Sequence, residues 1–202
     1  MKLKINVIDV GARYGLHPSW DSEKNNKDIK FYLFEPEPKE FLRLKKKYRF
    51  KKNVKIINSA LGSREGENLI LNVTKHKALS SMFAIEDNNP LLTKKNTKVL
   101  KKIKVRSGTL DNFCKINRLK PDFIKLDAEG FELNILKGLR INIKNILGVR
   151  SEVSFDGVFK NSHGDFNLIH EFLTENGFKL LNLDYDGKGF YFSNFLSSSQ
   201  KY

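Results

Sequence analysis

A regular alternation of short apolar runs with amphipathic helical patterns is the feature that most constrains the fold. Runs rich in β-branched and aromatic residues cover residues 4–10, 29–35, 53–61, 122–127 and 145–153. Such runs predict buried strands. Helical patterns cover residues 38–48, 108–119, 129–139 and 165–178, and Thr109 is a predicted N-cap. Strands that alternate with helices favour an α/β fold, with a mostly parallel sheet covered by helices on both faces.

The C-terminal region carries a second topological signal. Two strand patterns, residues 179–185 and 190–195, flank the sequence Asp-Gly-Lys-Gly. An Asp-Gly step between strand patterns predicts a hairpin, so the last strand is expected to run antiparallel to its neighbour. At 202 residues, the whole chain is predicted to form one domain with a substantial core.

The chain is strongly basic, with 37 Lys and Arg against 23 Asp and Glu and a net charge of +14. This balance favours anionic partners, such as nucleic acid, phosphorylated sugars or membrane surfaces, although a solvated Lys-rich surface explains it equally well. The single cysteine, Cys114, excludes an intrachain disulfide and a Cys-rich zinc site. No apolar run is long enough for a signal peptide or a membrane-spanning helix, so a soluble cytoplasmic protein is predicted.

Acidic side chains nevertheless collect at the end of the predicted strand 122–127. Asp127 closes this strand, Glu129 follows two residues later, and Glu132 begins the main part of the next predicted helix. In open α/β sheets, ligands bind beyond the carboxyl ends of the strands, near the point where the strand order reverses. Protons, metal ions and positively charged ligands are the usual reasons to place acids there.

The end of the first strand narrows the choice of ligand. Its sequence, DVGARYG, places Asp9, Gly11 and Gly15 at a strand-to-helix turn. The spacing differs from the dinucleotide fingerprint G-x-G-x-x-G, and the turn lacks a Walker lysine, so a pyrophosphate cradle is not expected. Glu35 follows Gly15 by about 20 residues, where an acid can accept hydrogen bonds from ribose hydroxyls. A ligand with a ribose, a positive charge and no pyrophosphate is indicated, and S-adenosylmethionine fits.

Several motifs also occur in the order found in one known family. They are IDVGARYG, FEPEP, NSALGSREG, TLDNF, PDFIKLDAEGFELNILKG, SEVSF and FLTENGFKLLNL. With them the chain resembles the FkbM-type methyltransferases, a family of Rossmann-like enzymes that depend on S-adenosylmethionine. The resemblance implies a doubly wound, mostly parallel sheet of seven strands with an antiparallel C-terminal hairpin, and methyl transfer to an oxygen, often of a saccharide. Arg13 stands where many members carry Asn.

The resemblance extends to the roles of individual residues. Cofactor contacts are implied at the ends of the predicted strands, by Asp9, Gly11, Ala12, Arg13, Tyr14, Gly15, Glu35, Pro36, Ser59, Ala60 and Asp127. Catalytic roles are assigned to four residues on or beside the fourth strand, Lys125, Asp127, Glu129 and Glu152. Asp127 is interpreted as the general base, the residue that orients the acceptor, or a favourable charge for the sulfonium.

On the sequence alone, alternative roles stay open for Lys125, Glu129 and Glu132. Lys125 shares a strand face with Asp127 and is either a site residue or an ion-pair partner of Glu152. Glu129 and Glu132 can instead stabilise the positive end of the following helix. Asp127, Glu129 and Glu152 could ligate a hard cation, but no spacing in the sequence demands one, so no metal is expected.

Residues 74–105 form a Lys-rich segment that matches the family least and is interpreted as a variable substrate-side insertion. Loops on a rigid scaffold commonly carry specificity. Its lysines are therefore predicted to cover the crevice and to favour an anionic acceptor, in particular Lys94, Lys95, Lys101 and Lys102. Four further loop residues can reach the mouth of the site, namely His17, Ser80, Ser81 and His163.

Two other functions stay open on the sequence alone. The basic charge and residues 45–52, KKKYRFKK, suit an RNA or other nucleic-acid methyltransferase, because cations pair with phosphates and aromatic rings stack on bases. The other is a non-catalytic protein that binds S-adenosylmethionine, which the presence of Asp9, Glu35 and Asp127 disfavours. The sequence predicts no particular oligomeric state.

Overall fold

The computed structural model describes residues 4–86, 92, 94–155, 158–162, 165–185 and 191–198. The strands in this part of the chain are β1 (Ile5–Val10), β2 (Ile29–Phe34), β3 (Val54–Ile57), β4 (Ala60–Leu61), β5 (Asn68–Thr74), β6 (Val99–Gly108), β7 (Phe123–Leu126), β8 (Gly148–Ser154), β9 (Phe178–Tyr185) and β10 (Tyr191–Ser198). The α-helices are α1 (Pro38–Lys47), α2 (Lys94–Thr97), α3 (Leu110–Asn117), α4 (Glu132–Lys137) and α5 (Phe166–Glu175). Single 3₁₀ turns lie at Pro18–Trp20, Lys77–Leu79 and Ile143–Asn145.

The main sheet has the strand order β3-β2-β1-β7-β8-β10-β9. Its first five strands are parallel, and β10 runs antiparallel to both β8 and β9. The prediction of a Rossmann-like, mostly parallel sheet is therefore confirmed. The Asp-Gly turn predicted between the last two strands falls at residues 186–189, outside the described residues.

Strand β1 lies where the strand order reverses, with β2 on one side and β7 on the other. In register, Asp9 lies opposite Lys125 of β7 and opposite Leu33 of β2. Because parallel strands end at the same edge of a sheet, the carboxyl ends of β1, β2, β7 and β8 meet there. Ligands bind at this edge in open α/β sheets.

Apolar side chains on both faces of the sheet form the core. The larger cluster packs the helices α3, α4 and α5 against one face through Leu110, Leu136 and Leu173, which are fully buried. The smaller cluster contains Phe31, against which the ring of Trp20 packs at a centroid distance of 6.1 Å. Burying a side chain of this size contributes about 1.5–3 kcal/mol. The two clusters cover the sheet on both faces, as the strand-helix alternation predicts.

The structure divides the predicted strand 53–61 into β3 and β4. Asn58 lies at the break, where its side-chain amide donates hydrogen bonds to Glu35 O (2.9 Å) and Pro36 O (3.1 Å). These bonds hold the chain beside the carboxyl end of β2. Strand β4 then joins a separate sheet with the order β4-β6-β5. Strand β6 spans 10 residues, most of them within the Lys-rich segment 74–105, for which the sequence predicted no strand.

The helix ends agree closely with the sequence patterns. Thr109 is the N-cap of α3, and its side chain accepts a hydrogen bond from Asn112 N at 3.2 Å. Helix α4 begins later than predicted because Glu129 and Gly130 adopt left-handed backbone angles, with φ of 55° and 91°. Among the helices of the described ranges, none is long and apolar enough to cross a membrane.

Candidate active site

The carboxyl ends of the parallel strands line a crevice of about 910 Å³. Most of the residues that the sequence predicts for the site line it, namely Gly11, Arg13, Tyr14, Gly15, Glu35, Pro36, Ser59, Ala60, Lys125, Asp127, Glu129 and Glu152. Asp9 and Ala12 are the exceptions. Both are buried behind the crevice wall, so they support the site and do not face it.

Gly11 brings the turn after β1 into close contact with the end of β7. Its φ of 77° lies in the left-handed region that favours glycine. A Cβ atom at this position would lie 1.6 Å from Asp127 O. In addition, Asp127 N donates a hydrogen bond to Val10 O at 3.2 Å. The glycine is therefore required for the turn to lie against Asp127.

A buried ion-pair network lies beneath this turn. Lys125 Nζ is 3.4 Å from Asp9 Oδ1 and 3.0 Å from Asp127 Oδ2. It also donates to Val10 O at 3.4 Å, and Asp9 Oδ2 accepts a hydrogen bond from His17 N at 3.0 Å. Among the described residues, Lys125 makes its ion pairs with these two aspartates and not with Glu152, the partner considered from the sequence.

The network keeps Lys125 charged and Asp127 ionised. Burial alone would lower the pKa of Lys125, but Asp127 and Asp9 outweigh this effect and raise that pKa above its usual value. Burial works to raise the pKa of Asp127, but the charge of Lys125 outweighs it and lowers that pKa. The pKa of Asp9 is raised by burial, which Lys125 offsets only in part. Asp127 is therefore the ionised acid that faces the crevice.

Two further acids lie next to Asp127. Carboxylate oxygens of Asp127, Glu129 and Glu152 all lie within 4.8 Å of one another. Burial, followed by the charge of Asp127, raises the pKa values of both glutamates well above the usual range. The interaction between the carboxyl groups of Glu152 and Asp127 also contributes, since it raises the pKa of Glu152 and lowers that of Asp127. The three acids also have the oxygen ligands that a hard cation requires.

Glu132 has a different role from the one considered from the sequence. Its side chain is buried, with 1% exposed, and Oε1 accepts hydrogen bonds from Ala128 N (2.6 Å) and Gly130 N (3.3 Å). Burial raises its pKa to about 7. Glu132 therefore holds the loop on both sides of Glu129. Sequence reasoning placed this residue at the helix start but could not find these bonds.

Glu35 follows β2, on the other side of β1 from Asp127, and lines the same crevice. It is 2% exposed, its Oε1 accepts a hydrogen bond from Glu37 N at 2.8 Å, and burial raises its pKa to about 7. Pro36, Ser59 and Ala60 line the crevice beside it. The Ser59 hydroxyl donates to Ala60 O at 2.9 Å, so this part of the crevice offers a carboxylate and largely apolar neighbours.

Arg13 makes an ion pair that the sequence did not predict. It is 9% exposed, and its Nη2 donates to Glu37 Oε2 at 2.8 Å. Lys77 Nζ lies 4.0 Å from the other oxygen of Glu37. The guanidinium of Arg43 donates to Arg13 O. The FEPEP motif contained a signal for Glu37, whereas nothing in the sequence pointed to Lys77.

The family model for the Methyltransferase FkbM domain matches residues 9–180. The chain belongs to the FkbM methyltransferase family. Membership confirms the resemblance that the motifs indicated, together with S-adenosylmethionine as the cofactor. No curated protein matches the sequence significantly.

Solved structures share the fold of this FkbM domain at low sequence identity. A fibrillarin/Nop5p complex matches with a TM-score of 0.56 and 14% identity, over 98% of this chain and 74% of that chain. A Methanococcus jannaschii fibrillarin matches with a TM-score of 0.54 and 16% identity, over 98% and 67%. Aeropyrum pernix fibrillarin with natively bound S-adenosyl-L-methionine matches with a TM-score of 0.51 and 12% identity, over 97% and 68%. Identities this low show the fold alone.

In the FkbM domain, residues 76–82 form the outer wall of the crevice. They include Ser80 and Ser81, as predicted, and the Ser81 hydroxyl donates to Glu129 O at 2.6 Å. Three of the four lysines predicted to cover the crevice, Lys95, Lys101 and Lys102, are exposed and do not line it. For Lys101 and Lys102 the reason is that β6 pairs with β5 and carries these side chains outside the crevice. The side chain of Lys94 lies outside the described residues.

Of the two histidines predicted near the mouth of the FkbM site, the structure describes one. His17 lines the crevice, and it is the N-cap of the turn Pro18–Trp20, where its ring accepts a hydrogen bond from Ser19 N at 3.1 Å. Its backbone amide also binds Asp9. His163 lies outside the described residues.

Proposed function

We propose that this FkbM methyltransferase transfers the methyl group of S-adenosylmethionine to a hydroxyl oxygen of a saccharide or a related small molecule. One observation carries the proposal. Glu35 after β2 and the ionised Asp127 after β7 lie on either side of β1 and line the same crevice of about 910 Å³. A carboxylate suited to ribose hydroxyls and a second one suited to a reacting hydroxyl thus lie within one binding site.

The residues of the crevice fit the cofactor. Glu35 would accept hydrogen bonds from the ribose hydroxyls, with Pro36, Ser59 and Ala60 beside the adenine. The turn from Gly11 to Gly15 would hold the methionine part. The ionised Asp127 at the end of β7 favours a sulfonium nearby, which fits a positively charged cofactor and disfavours a dinucleotide.

Asp127 is the residue that would receive the hydroxyl proton. S-adenosylmethionine supplies the methyl group as a sulfonium, and breaking its C–S bond leaves the electron pair on sulfur in S-adenosylhomocysteine. As the acceptor oxygen attacks the methyl carbon, Asp127 orients the hydroxyl and accepts its proton. Lys125 keeps Asp127 ionised between turnovers. Orientation of the reacting groups supplies much of the rate in such a reaction.

From the same geometry we also propose that methyl transfer requires no metal ion. Lys125 Nζ lies 3.0 Å from Asp127 Oδ2 and supplies the positive charge that a cation would otherwise provide. We expect a chelator such as EDTA to leave methyl transfer unchanged. Loss of activity on chelation, with recovery on adding Mg²⁺, would instead identify Asp127, Glu129 and Glu152 as metal ligands.

An RNA methyltransferase is the second candidate, and a specific surface favours it. Lys102, Lys104 and Arg106 alternate along β6 and therefore share one strand face, where all three are exposed. We call these three residues the basic stripe. No carboxylate among the described residues lies within ion-pair distance of Lys102 or Lys104. The fibrillarin neighbours, one of them described as a pre-rRNA processing protein, are compatible with this candidate.

An experiment with a labelled methyl group distinguishes a saccharide or small-molecule acceptor from an RNA acceptor. The protein is incubated with S-adenosylmethionine labelled in the methyl group and with glycan or RNA fractions of a cell extract, and Asp127→Asn serves as the control. We expect label in the glycan or small-molecule fraction with wild type only. Label in RNA would favour the second candidate, and label in no fraction would favour a non-catalytic binding protein. We further propose a cytoplasmic location, which fractionation of cells would test.

A further inference from the structure

The chain segments that enter the amino ends of three parallel strands form an exposed face of the domain. Residues 49–53 precede β3, residues 116–122 precede β7 and residues 144–147 precede β8. Because parallel strands begin at the same edge of a sheet, the three segments lie at the edge opposite the crevice. We call these three segments the amino-edge face.

Hydrogen bonds hold the segments of the amino-edge face next to one another. Lys55 Nζ, near the start of β3, donates to Asn117 Oδ1 at 3.2 Å. Leu147 N donates to Asp122 O at 2.8 Å. The strand order places β8 four positions from β3, and neighbouring strands lie about 4.8 Å apart, so the amino ends of these two strands are roughly 19 Å apart. The face is therefore one surface, wide enough to contact a partner at several points.

Three large apolar side chains on the amino-edge face are exposed to water. Phe50 is 83% exposed, Ile116 72% and Leu147 52%, and each comes from a different segment. The guanidinium of Arg49 lies over the Phe50 ring, 4.5 Å from its centroid, so a cation is held beside this ring. Single exposed apolar residues are common, but three of them at one edge of one sheet indicate an interaction surface.

The same face is strongly basic. Its segments contain six exposed cations, namely Arg49, Lys51, Lys52, Arg118, Lys120 and Lys144. In the part of the chain that the structure describes, none of the six makes an ion pair with a carboxylate. The one acid in the three segments is Asp122, and its carboxylate accepts a hydrogen bond from Asn6 N at 2.8 Å. The positive charge of the face is therefore left for an anionic partner.

We propose that the amino-edge face docks the protein on an anionic phospholipid membrane. Phe50, Ile116 and Leu147 enter the boundary between headgroups and acyl chains, and the surrounding cations bind anionic headgroups. The crevice, at the opposite edge of the sheet, then faces the water. Such docking is compatible with a cytoplasmic location, since the cytoplasmic leaflet carries anionic lipids. It does not depend on which acceptor the crevice binds.

RNA, the other large polyanion, fits the amino-edge face less well. Single-stranded RNA is bound by cations together with aromatic rings on which its bases stack. Ile116 and Leu147 have no ring, and one side of the Phe50 ring is covered by Arg49. The aliphatic side chains are instead suited to the apolar interior of a lipid layer.

Sedimentation with lipid vesicles tests the charges of the face. The protein should bind vesicles of phosphatidylcholine mixed with the anionic lipid phosphatidylglycerol, and should not bind vesicles of phosphatidylcholine alone. Lys52→Gln with Lys120→Gln should weaken binding by roughly 25-fold, at about fivefold for each charge removed. Lys102→Gln with Lys104→Gln makes the same change in charge on the basic stripe, and should leave binding nearly unchanged.

Substitutions of apolar residues test whether the face enters the lipid. The emission of a tryptophan shifts to shorter wavelength when its ring leaves water, so Ile116→Trp should show this shift with the anionic vesicles. Leu100→Trp, at an exposed position of β6, should not. The one native tryptophan, Trp20, packs against Phe31 and gives a constant background. Phe50→Ser should weaken vesicle binding roughly tenfold and leave its salt dependence unchanged, because it removes apolar area and no charge.

Four results would overturn membrane docking by this face. Wild type could bind both kinds of vesicle equally or bind neither. Equal losses in the two lysine double variants would show attraction by the overall charge of the chain. Absence of the emission shift in vesicle-bound Ile116→Trp would show that the apolar side chains stay in water. Tighter binding of a single-stranded RNA oligonucleotide than of the anionic vesicles would assign the face to RNA.

Discussion

Two neighbouring acids of the crevice, Asp127 and Glu129, should differ in how strongly they affect kcat. Asp127→Asn keeps the shape of the side chain and removes its charge and basicity, so kcat should fall by roughly 10²–10⁴. Glu129→Gln should lower kcat much less, because Asp127, and not Glu129, is proposed to receive the hydroxyl proton. Steady-state rates with the acceptor that the labelling experiment identifies would measure both. Near-full kcat in Asp127→Asn with an inactive Glu129→Gln would reverse the roles, and two active variants would point to Glu152.

Removing the charge of Glu35 should stabilise the folded protein. Burial raises its pKa from 4.5 to about 7, so the folded state holds a proton that the unfolded chain releases. The resulting cost is absent below pH 4.5, grows up to about pH 7 and stays constant above it. Glu35→Gln should therefore raise the free energy of unfolding by about 3 kcal/mol at pH 8, and give no gain at pH 4.5.

The same Glu35 variant should bind the cofactor more weakly. Thermal melts of wild type and Glu35→Gln at the two pH values, with calorimetry of S-adenosylhomocysteine binding, measure both effects. A gain in stability together with a loss of cofactor affinity would show that Glu35 binds the cofactor although its burial destabilises the fold. Equal melting temperatures at pH 8 would show that Glu35 is not destabilising, and unchanged affinity would remove it from the ribose contact.

At the scale of secondary-structure elements, Lys125 joins β1 to β7 through charge as well as through backbone pairing. Lys125→Met leaves Asp9 and Asp127 without their cation in a buried site, and breaking such a pair costs about 3–5 kcal/mol. The loss should be largest near pH 8 and should shrink toward pH 5, because the abandoned acids can then take up protons. Denaturant unfolding at both pH values would measure it, with Lys137→Met on the exposed side of α4 as the control. A destabilisation that does not depend on pH would indicate poorer packing and not the missing charge.

Local patterns predicted the elements, and long-range contacts account for what they missed. The period of apolar residues was sufficient for β1, β2, β7, β8 and the main helices, and Thr109 was found as a cap because capping is local. The break at Asn58 depends on carbonyls of Glu35 and Pro36, which lie more than 20 residues away. The Arg13–Glu37 pair and the Lys125 network likewise join distant positions. Motif order supplied the candidate residues, but only their packing separates Glu129 from Glu132.

At the scale of the whole molecule, the basic stripe of Lys102, Lys104 and Arg106 can be used to test whether the methyl acceptor is a saccharide or RNA. If the acceptor is a small saccharide, Lys102→Gln with Lys104→Gln should leave methyl transfer and its salt dependence unchanged, because neither lysine lines the crevice. An RNA acceptor predicts weaker binding, with the salt slope reduced by roughly 0.7 for each phosphate that the variant no longer neutralises. Filter binding across salt concentrations would measure this. Lys137→Gln with Lys144→Gln makes the same change in charge on exposed residues elsewhere, and should have no effect in either case.

The pairing of β1 with β7 also determines when the site can exist during synthesis. Lys125 donates to Val10 O across 115 positions of the chain, and Gly11 lies against Asp127. A ribosome that has exposed only the first hundred residues has produced Asp9 and Glu35 without the strand that completes the crevice. Contacts of such long range form late, because chain entropy must be overcome before they contribute. The nascent N-terminal half should therefore be unable to retain S-adenosylhomocysteine, and cofactor capture should report the arrival of β7.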